Sequence, residues 1–138
     1  MTIDDIRELA ERTAASAAPE RRIFCLVGDL GSGKTAFSGF FLRALGVQVP
    51  VTSPTFVIMK KYPLVDRAFS VACHVDCYRL KSPDELLSLG FQGVLLDPSA
   101  VVLIEWADVV RDIMPGDAVW IDFAHTDHPD RRTVAFRP

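Results

Sequence analysis

A chain of 138 residues with a formal net charge of −3 has room for one good hydrophobic core and not for two ordinary ones. Hydrophobic residues make up 49% and charged residues 24%, the balance of a soluble globular protein, and no apolar run approaches the roughly 18 to 20 residues of a membrane span. The acidic balance argues against a protein that grips RNA or DNA alone through a broad basic face. With Asp4 and Asp5 near its start the chain shows no charged-then-apolar leader, so a cytoplasmic protein of one domain, residues 1–138, is expected.

Residues 3–15 predict an amphipathic helix, with Ile3, Ile6, Leu9 and Thr13 near one face, Thr2 and Asp5 as a capping pair, and Pro19 closing the segment. Arg22 to Val27 is a short β-rich apolar run, long enough for a buried strand. A glycine-rich stretch over 28–33 follows, then a helix from Lys34 to Leu45 with Gly46 as its stop. Thr52-Ser53-Pro54-Thr55 gives turn chemistry to a loop over 49–55, and a second apolar run spans Phe56 to Met59. Residues 63–69 read as a surface turn and Ser70 to Tyr78 as a third strand. Ser82-Pro83-Asp84-Glu85 has the pattern of a helix start, and that helix is expected to end near Gly90. Val101 to Trp106 reads as a buried strand and 107–114 as a short helix ended by Pro115-Gly116. Ala118 to Phe123 and Arg132 to Phe136 read as two strands joined by a polar turn. Strands alternating with helices over the first two thirds predict an α/β sheet.

Gly28-Asp29-Leu30-Gly31-Ser32-Gly33-Lys34-Thr35 fits the phosphate-loop pattern G-x-x-x-x-G-K-S/T in full. Glycines let backbone N–H groups converge on phosphate oxygens with no Cβ in the way, and the helix beginning after Gly33 adds its positive end. Lys34 has the reach for the β- and γ-phosphates, and Thr35 offers a hydroxyl to magnesium, which prefers oxygen ligands. The context of apolar strand, loop and helix separates this pattern from an accidental glycine-rich turn. The expected fold is therefore a P-loop NTPase-like three-layer sandwich, with a central mostly parallel sheet and a C-terminal antiparallel hairpin.

Such a loop needs an acidic partner at the end of a neighbouring strand. Glu105, after four apolar residues, is one candidate; the alternative is a strand that merely reaches the surface with a glutamate. Asp76 is the second, because strand alternation puts His74, Asp76 and Tyr78 on one face; a structural His–Asp pair explains the same residues equally well. Trp106 either lines the nucleotide site or caps the core, and the sequence by itself favours the core. Ser53-Pro54-Thr55 is either a γ-phosphate-sensing switch loop or an ordinary Ser-Pro turn. Cys25, Cys73 and Cys77 form an odd set with no disulfide framework. Cys73 and Cys77 face away from His74, and no second ligand cluster completes a zinc site, so small buried thiols are the better reading.

Taken together, Gly28 to Thr35, Val51-Thr52-Ser53-Pro54-Thr55-Phe56, His74-Val75-Asp76-Cys77-Tyr78-Arg79-Leu80, Asp84-Glu85-Leu86 with Gly90-Phe91, and Ile104-Glu105-Trp106 resemble the ATPase family of tRNA threonylcarbamoyladenosine biosynthesis (TsaE, formerly YjeE). The pieces occur in the family's order and span nearly the whole chain. The resemblance implies a slow ATP-hydrolysing subunit that works with the enzyme pair attaching a threonylcarbamoyl group to adenosine 37 of tRNA (TsaD and TsaB-like proteins). It would meet tRNA only indirectly and would need neither DNA nor a membrane. By residue, it implies that ATP lies on Asp29, Leu30, Gly31, Ser32, Gly33, Lys34, Thr35 and Ala36, with Trp106 beside it. Magnesium would be served by Thr35, Glu105 and Asp76, with Asp76, Glu105 and Lys34 acting in hydrolysis. Ser53, Pro54 and Thr55 would form the switch loop, and Lys60 or Arg79 would touch the partner. Where the family carries a nucleotide-touching threonine early in the first helix, this sequence has Ile6 or a neighbour, a departure from the pattern. A small nucleoside or nucleotide kinase shares the loop, yet the arginines here are scattered and form no lid. A nucleotide-switched binding module with negligible hydrolysis is the remaining alternative.

Overall fold

The structure is a computed structural model and describes residues 1–51, 58–65 and 68–138. Helix α1 (Ile3–Ala15) starts at a reciprocal capping box: the Asp5 amide donates to the Thr2 hydroxyl at 3.3 Å and the Thr2 amide to the Asp5 carboxylate at 2.9 Å. Its buried face is Ile6, Ala10, Thr13 and Ala14, mostly small residues that let it lie against the next helix. Ile3, expected on that face, is instead 55% exposed and opens onto a hollow beside the glycine loop. Strand β1 (Ile23–Val27) leads into that loop, and helix α2 (Lys34–Ala44) leaves it. Gly46, at φ 105°, takes the left-handed conformation that stops α2.

Strand β2 (Met59–Pro63) begins where the second apolar run was expected to end; Phe56, Val57 and the loop residues 52–55 lie outside the described residues. Strand β3 (Val71–Asp76) pairs antiparallel with it. The single helix expected from Ser82 to Gly90 is two pieces, α3 (Pro83–Leu87) and α4 (Phe91–Leu96). Ser82 stands at the N-cap position without a side-chain capping bond, and Gly90, at φ 82°, starts α4 where it was expected to end the element. The buried residues Phe91, Val94 and Leu95 are spaced as one helical face, which is why this short piece forms at all. Strand β4 (Ala100–Glu105) is buried throughout, a 3-10 helix covers Ala107–Ile113, and β5 (Val119–His125) and β6 (Arg132–Phe136) make the antiparallel hairpin.

The six strands form one sheet in the order β2-β3-β4-β1-β5-β6. The inner strands β3, β4, β1 and β5 run parallel, and β2 and β6 turn back at the two sides. Side-chain alternation splits the core: Phe24 and Leu26 of β1 pack with α1 and α2 on one face, while Ile23 and Cys25 pack with α3, α4 and the 3-10 helix on the other. This is a mostly parallel three-layer α/β arrangement. Leu26 lies opposite Glu105 and Asp76 opposite Glu105, so the end of β1 and both acids share one edge of the sheet, where ligands bind in open α/β sheets.

Candidate functional site

The loop over 28–33 joins the C-terminal end of β1 to α2, and its glycines are required by contact as well as by conformation. A Cβ on Gly28 would stand 2.5 Å from the Phe123 carbonyl oxygen and 2.7 Å from Ser32 Oγ. Gly33 holds φ 111° at the N-cap of α2, where no side chain caps the helix, so the first-turn amides keep no side-chain acceptor. That is the anion-binding end of a helix dipole.

Lys34 is buried in the turn it follows. Its ammonium donates to the Gly28 carbonyl and to the Asp29 carbonyl at 2.8 Å, with Ser32 Oγ at 3.4 Å, and it lies 4.3 Å from the centre of the Trp106 ring. Burial depresses its pKa against the opposing pull of Glu105, Asp29, Asp108 and Asp76. Trp106 lines the cleft and packs partly against the second half of the core. Among the described non-glycine residues it alone has a positive φ, at 58°, directly after Glu105. Tyr78 lies beside it, ring centres 4.9 Å apart.

Thr35 Oγ1 donates to Glu105 Oε1 at 3.1 Å, which ties the loop helix to β4. The other carboxylate oxygen of Glu105 is 2.6 Å from His74 Nε2, and both side chains are buried. His74 thus pairs with the glutamate of the adjacent strand, and a His74–Asp76 pair is not what the structure builds. Asp76 is 8% exposed, accepts a bond from the Tyr78 amide at 2.9 Å and lines the same cleft. The cleft measures about 330 Å³ and brings together Leu30, Lys34, Thr35, Asp76, Glu105 and Trp106. A second hollow of about 320 Å³ shares Gly31, Gly33 and Ala36 with it and continues past Ile6 to Arg132. Asp29 contributes its carbonyl, Leu30 is 63% exposed at the rim, and the Ser32 amide donates to Asp29 O at 3.1 Å. Ser53, Pro54 and Thr55 fall outside the described residues.

Among the described residues no group of three or more His, Cys, Asp or Glu side chains is placed to hold a metal. What converges instead is a threonine hydroxyl and two carboxylates, an all-oxygen set of the kind that suits a hard cation bound together with a phosphate ligand. The cysteines are free and buried, and burial pushes the thiols of Cys25 and Cys77 up to about 12 and that of Cys73 to about 11. Two contacts to the loop go beyond anything the sequence pattern announces: His125 Nε2 donates to Leu30 O at 2.8 Å, and Arg132 Nε to Gly31 O at 2.9 Å. The hairpin pattern signals the strands carrying these side chains, but nothing in it signals that the hairpin backs the glycine loop.

A mostly parallel sheet, a full phosphate loop after its central strand and an acid at the end of the neighbouring strand define a P-loop nucleotide-binding protein. The profile of the family described as threonylcarbamoyl adenosine biosynthesis protein TsaE matches residues 1–134, and the chain belongs to that family. A protein of Borreliella burgdorferi named tRNA threonylcarbamoyladenosine biosynthesis protein TsaE is 35% identical over 102 residues, covering 74% of this chain and 72% of its own. A Bacillus subtilis protein of the same name is 33% identical over 135 residues, covering 96% and 79%. The crystal structure of Bacillus subtilis YdiB superposes with a TM-score of 0.73 at 28% identity, over 99% of this chain and 80% of that one.

Proposed function

We propose that the chain is the ATP-binding, ATP-hydrolysing subunit of the machinery that makes N6-threonylcarbamoyladenosine at position 37 of tRNA. The observation that carries this reading is the Thr35–Glu105 contact of 3.1 Å, flanked by Lys34 and Asp76 in one cleft of a chain of this family. Residues 1–138 act as one domain. The phosphates of ATP lie on the loop amides and the first turn of α2, and the nucleoside passes over Gly31, Gly33 and Ala36 into the second hollow. Lys34 exchanges its carbonyl partners for phosphate oxygens.

Magnesium bound with ATP supplies charge neutralisation at the phosphates. The oxygens of Thr35, Glu105 and Asp76 are the ones to hold it, directly or through water, and the donor chemistry fits. His74 fixes one oxygen of Glu105, leaving the other toward Thr35. Asp76 also stands where it can orient an attacking water. Trp106 covers the site from the side of β4. Among the described residues no helix is long and apolar enough to cross a membrane; this reading places the work of the chain in the cytoplasm. The partners are the threonylcarbamoyl-transfer pair, with tRNA met only through them. Hydrolysis is slow in the isolated chain, since among the described residues no arginine lines the cleft to meet the γ-phosphate.

The test is phosphate release from magnesium-ATP by the chain alone and with the purified transfer pair. Release stimulated by the pair, and lost in Lys34→Ala, is the expected result. Phosphate transfer to a nucleoside or nucleotide acceptor would identify a kinase and sink the reading. ATP-dependent association with the pair but no release would identify a nucleotide-switched binding module.

A further inference from the structure

The hairpin carries a device that the nucleotide reading does not use. His125 and Arg132 are direct partners in the β5–β6 register, at the closed end of the hairpin. Opposed residues of an antiparallel pair project on one face, so this single pair aims two donors the same way. Both meet the glycine loop: His125 Nε2 donates to Leu30 O at 2.8 Å and Arg132 Nε to Gly31 O at 2.9 Å. Arg132 is itself held, since its guanidinium also donates to Pro129 O at 2.7 Å and Arg131 O at 2.8 Å, and its backbone amide donates to Met1 O at 2.8 Å. The same strand pair supplies the floor, because Phe123 O is the atom that forbids a Cβ at Gly28.

A trans peptide is planar, with the C=O of one residue and the N–H of the next pointing opposite ways, and no cis bond is present among the described residues. Drawing the Leu30 and Gly31 carbonyls toward the hairpin therefore turns the Gly31 and Ser32 amides away from it, where the Ser32 amide meets Asp29 O at 3.1 Å until a phosphate replaces that acceptor. Gly31, at φ 72°, has no side chain to resist either orientation, so the outer bonds decide it.

We propose that His125 and Arg132 are positioning residues for the phosphate loop: they clamp two consecutive carbonyls from behind and so preset the amides that meet a phosphate. This rests on the nucleotide reading above. Neither side chain touches the phosphate; their contribution is a loop that loses little freedom when the ligand arrives.

The test is calorimetric titration of the full chain with ADP, together with ATP turnover, in Arg132→Met, Arg132→Lys and His125→Ala. Met keeps the aliphatic stem and removes the donors. ADP affinity is expected to fall roughly tenfold in Arg132→Met and about threefold in His125→Ala, as for loss of hydrogen bonds that order a binding loop. Arg132→Lys, which keeps a cationic donor, should recover most of the loss. KM for ATP should rise with the ADP dissociation constant, while kcat at saturation changes less than about twofold. A merely structural role would lower the melting temperature yet leave affinity well below melting unaltered. Because Arg132 also borders the second hollow, His125→Ala, whose side chain lines neither hollow, is the deciding variant, whether or not Arg132→Met folds. Wild-type affinity in the folded variants overturns the inference alone; failure of the wild-type chain to bind ADP overturns it together with the nucleotide reading.

Discussion

At the scale of single residues, Lys34 and Glu105 each stand between two sets of partners. The Gly28 and Asp29 carbonyls hold the same ammonium that phosphate oxygens would claim, so nucleotide affinity is the difference between two well-made sets of bonds. Lys34→Ala is expected to abolish measurable ATP binding in calorimetry, because it removes the only lysine of the loop and the charge over Trp106. Glu105→Gln should behave differently. Hydrolysis is expected to fall by about 100-fold or more, with ADP affinity in the absence of magnesium little changed. Equal losses in both assays would remove Glu105 from the magnesium shell. The buried thiols give a pH prediction. Their folded pKa values of about 12, 11 and 12 for Cys25, Cys73 and Cys77 lie above the ordinary value of 9.0. The unfolded chain therefore binds fewer protons than the folded one above that value. The stabilisation is fully present below it and is lost as the pH climbs toward the folded values. The urea midpoint should drop from about pH 9 toward pH 11, with a smaller drop in Cys25→Ala.

At the scale of elements, what is legible depends on how local the signal is. The capping box at Thr2 and Asp5, the phosphate loop, the buried run ending at Glu105 and the hairpin strands are all written in short stretches, and their elements form close to the expected limits. The break at Gly90 departs from expectation because a glycine that ends one helix and a glycine that begins the next look alike until the buried trio Phe91, Val94 and Leu95 is weighed. His74 departs for a different reason. Alternation puts it on the face of Asp76, but its partner is set by the register between β3 and β4, where His74 lies opposite Leu103 and Asp76 opposite Glu105. Pairing across strands that are distant in sequence is not carried by either strand alone. The clamp from His125 and Arg132 is invisible in the sequence on the same grounds. Gly39 supplies the prediction that belongs here. It lies inside α2 with nothing within 4 Å of the point where an alanine methyl would sit, so Gly39→Ala should raise stability by about 1 kcal/mol in urea denaturation and leave ADP affinity unchanged.

At the scale of the whole molecule, the parallel centre follows from strands that alternate with helices, as expected; the outward placement of β2 does not, since part of the run that announces it lies outside the described residues. Among the described residues β2 and β6 form the two sides of the sheet. A side strand offers its backbone to any other extended chain, and a protein that keeps one must discourage strangers. β2 reads Met59-Lys60-Lys61-Tyr62-Pro63: two cations in a row and a proline that has no N–H to give. β6 is flanked by Arg131 and Arg137. Replacing Lys60 and Lys61 by valine would leave the strand its shape and strip its charge, and light scattering during concentration should then rise well above that of the parent chain. On this expectation the lysines of β2 set how crowded a solution the protein tolerates, since self-association is a hazard that begins where the sheet stops.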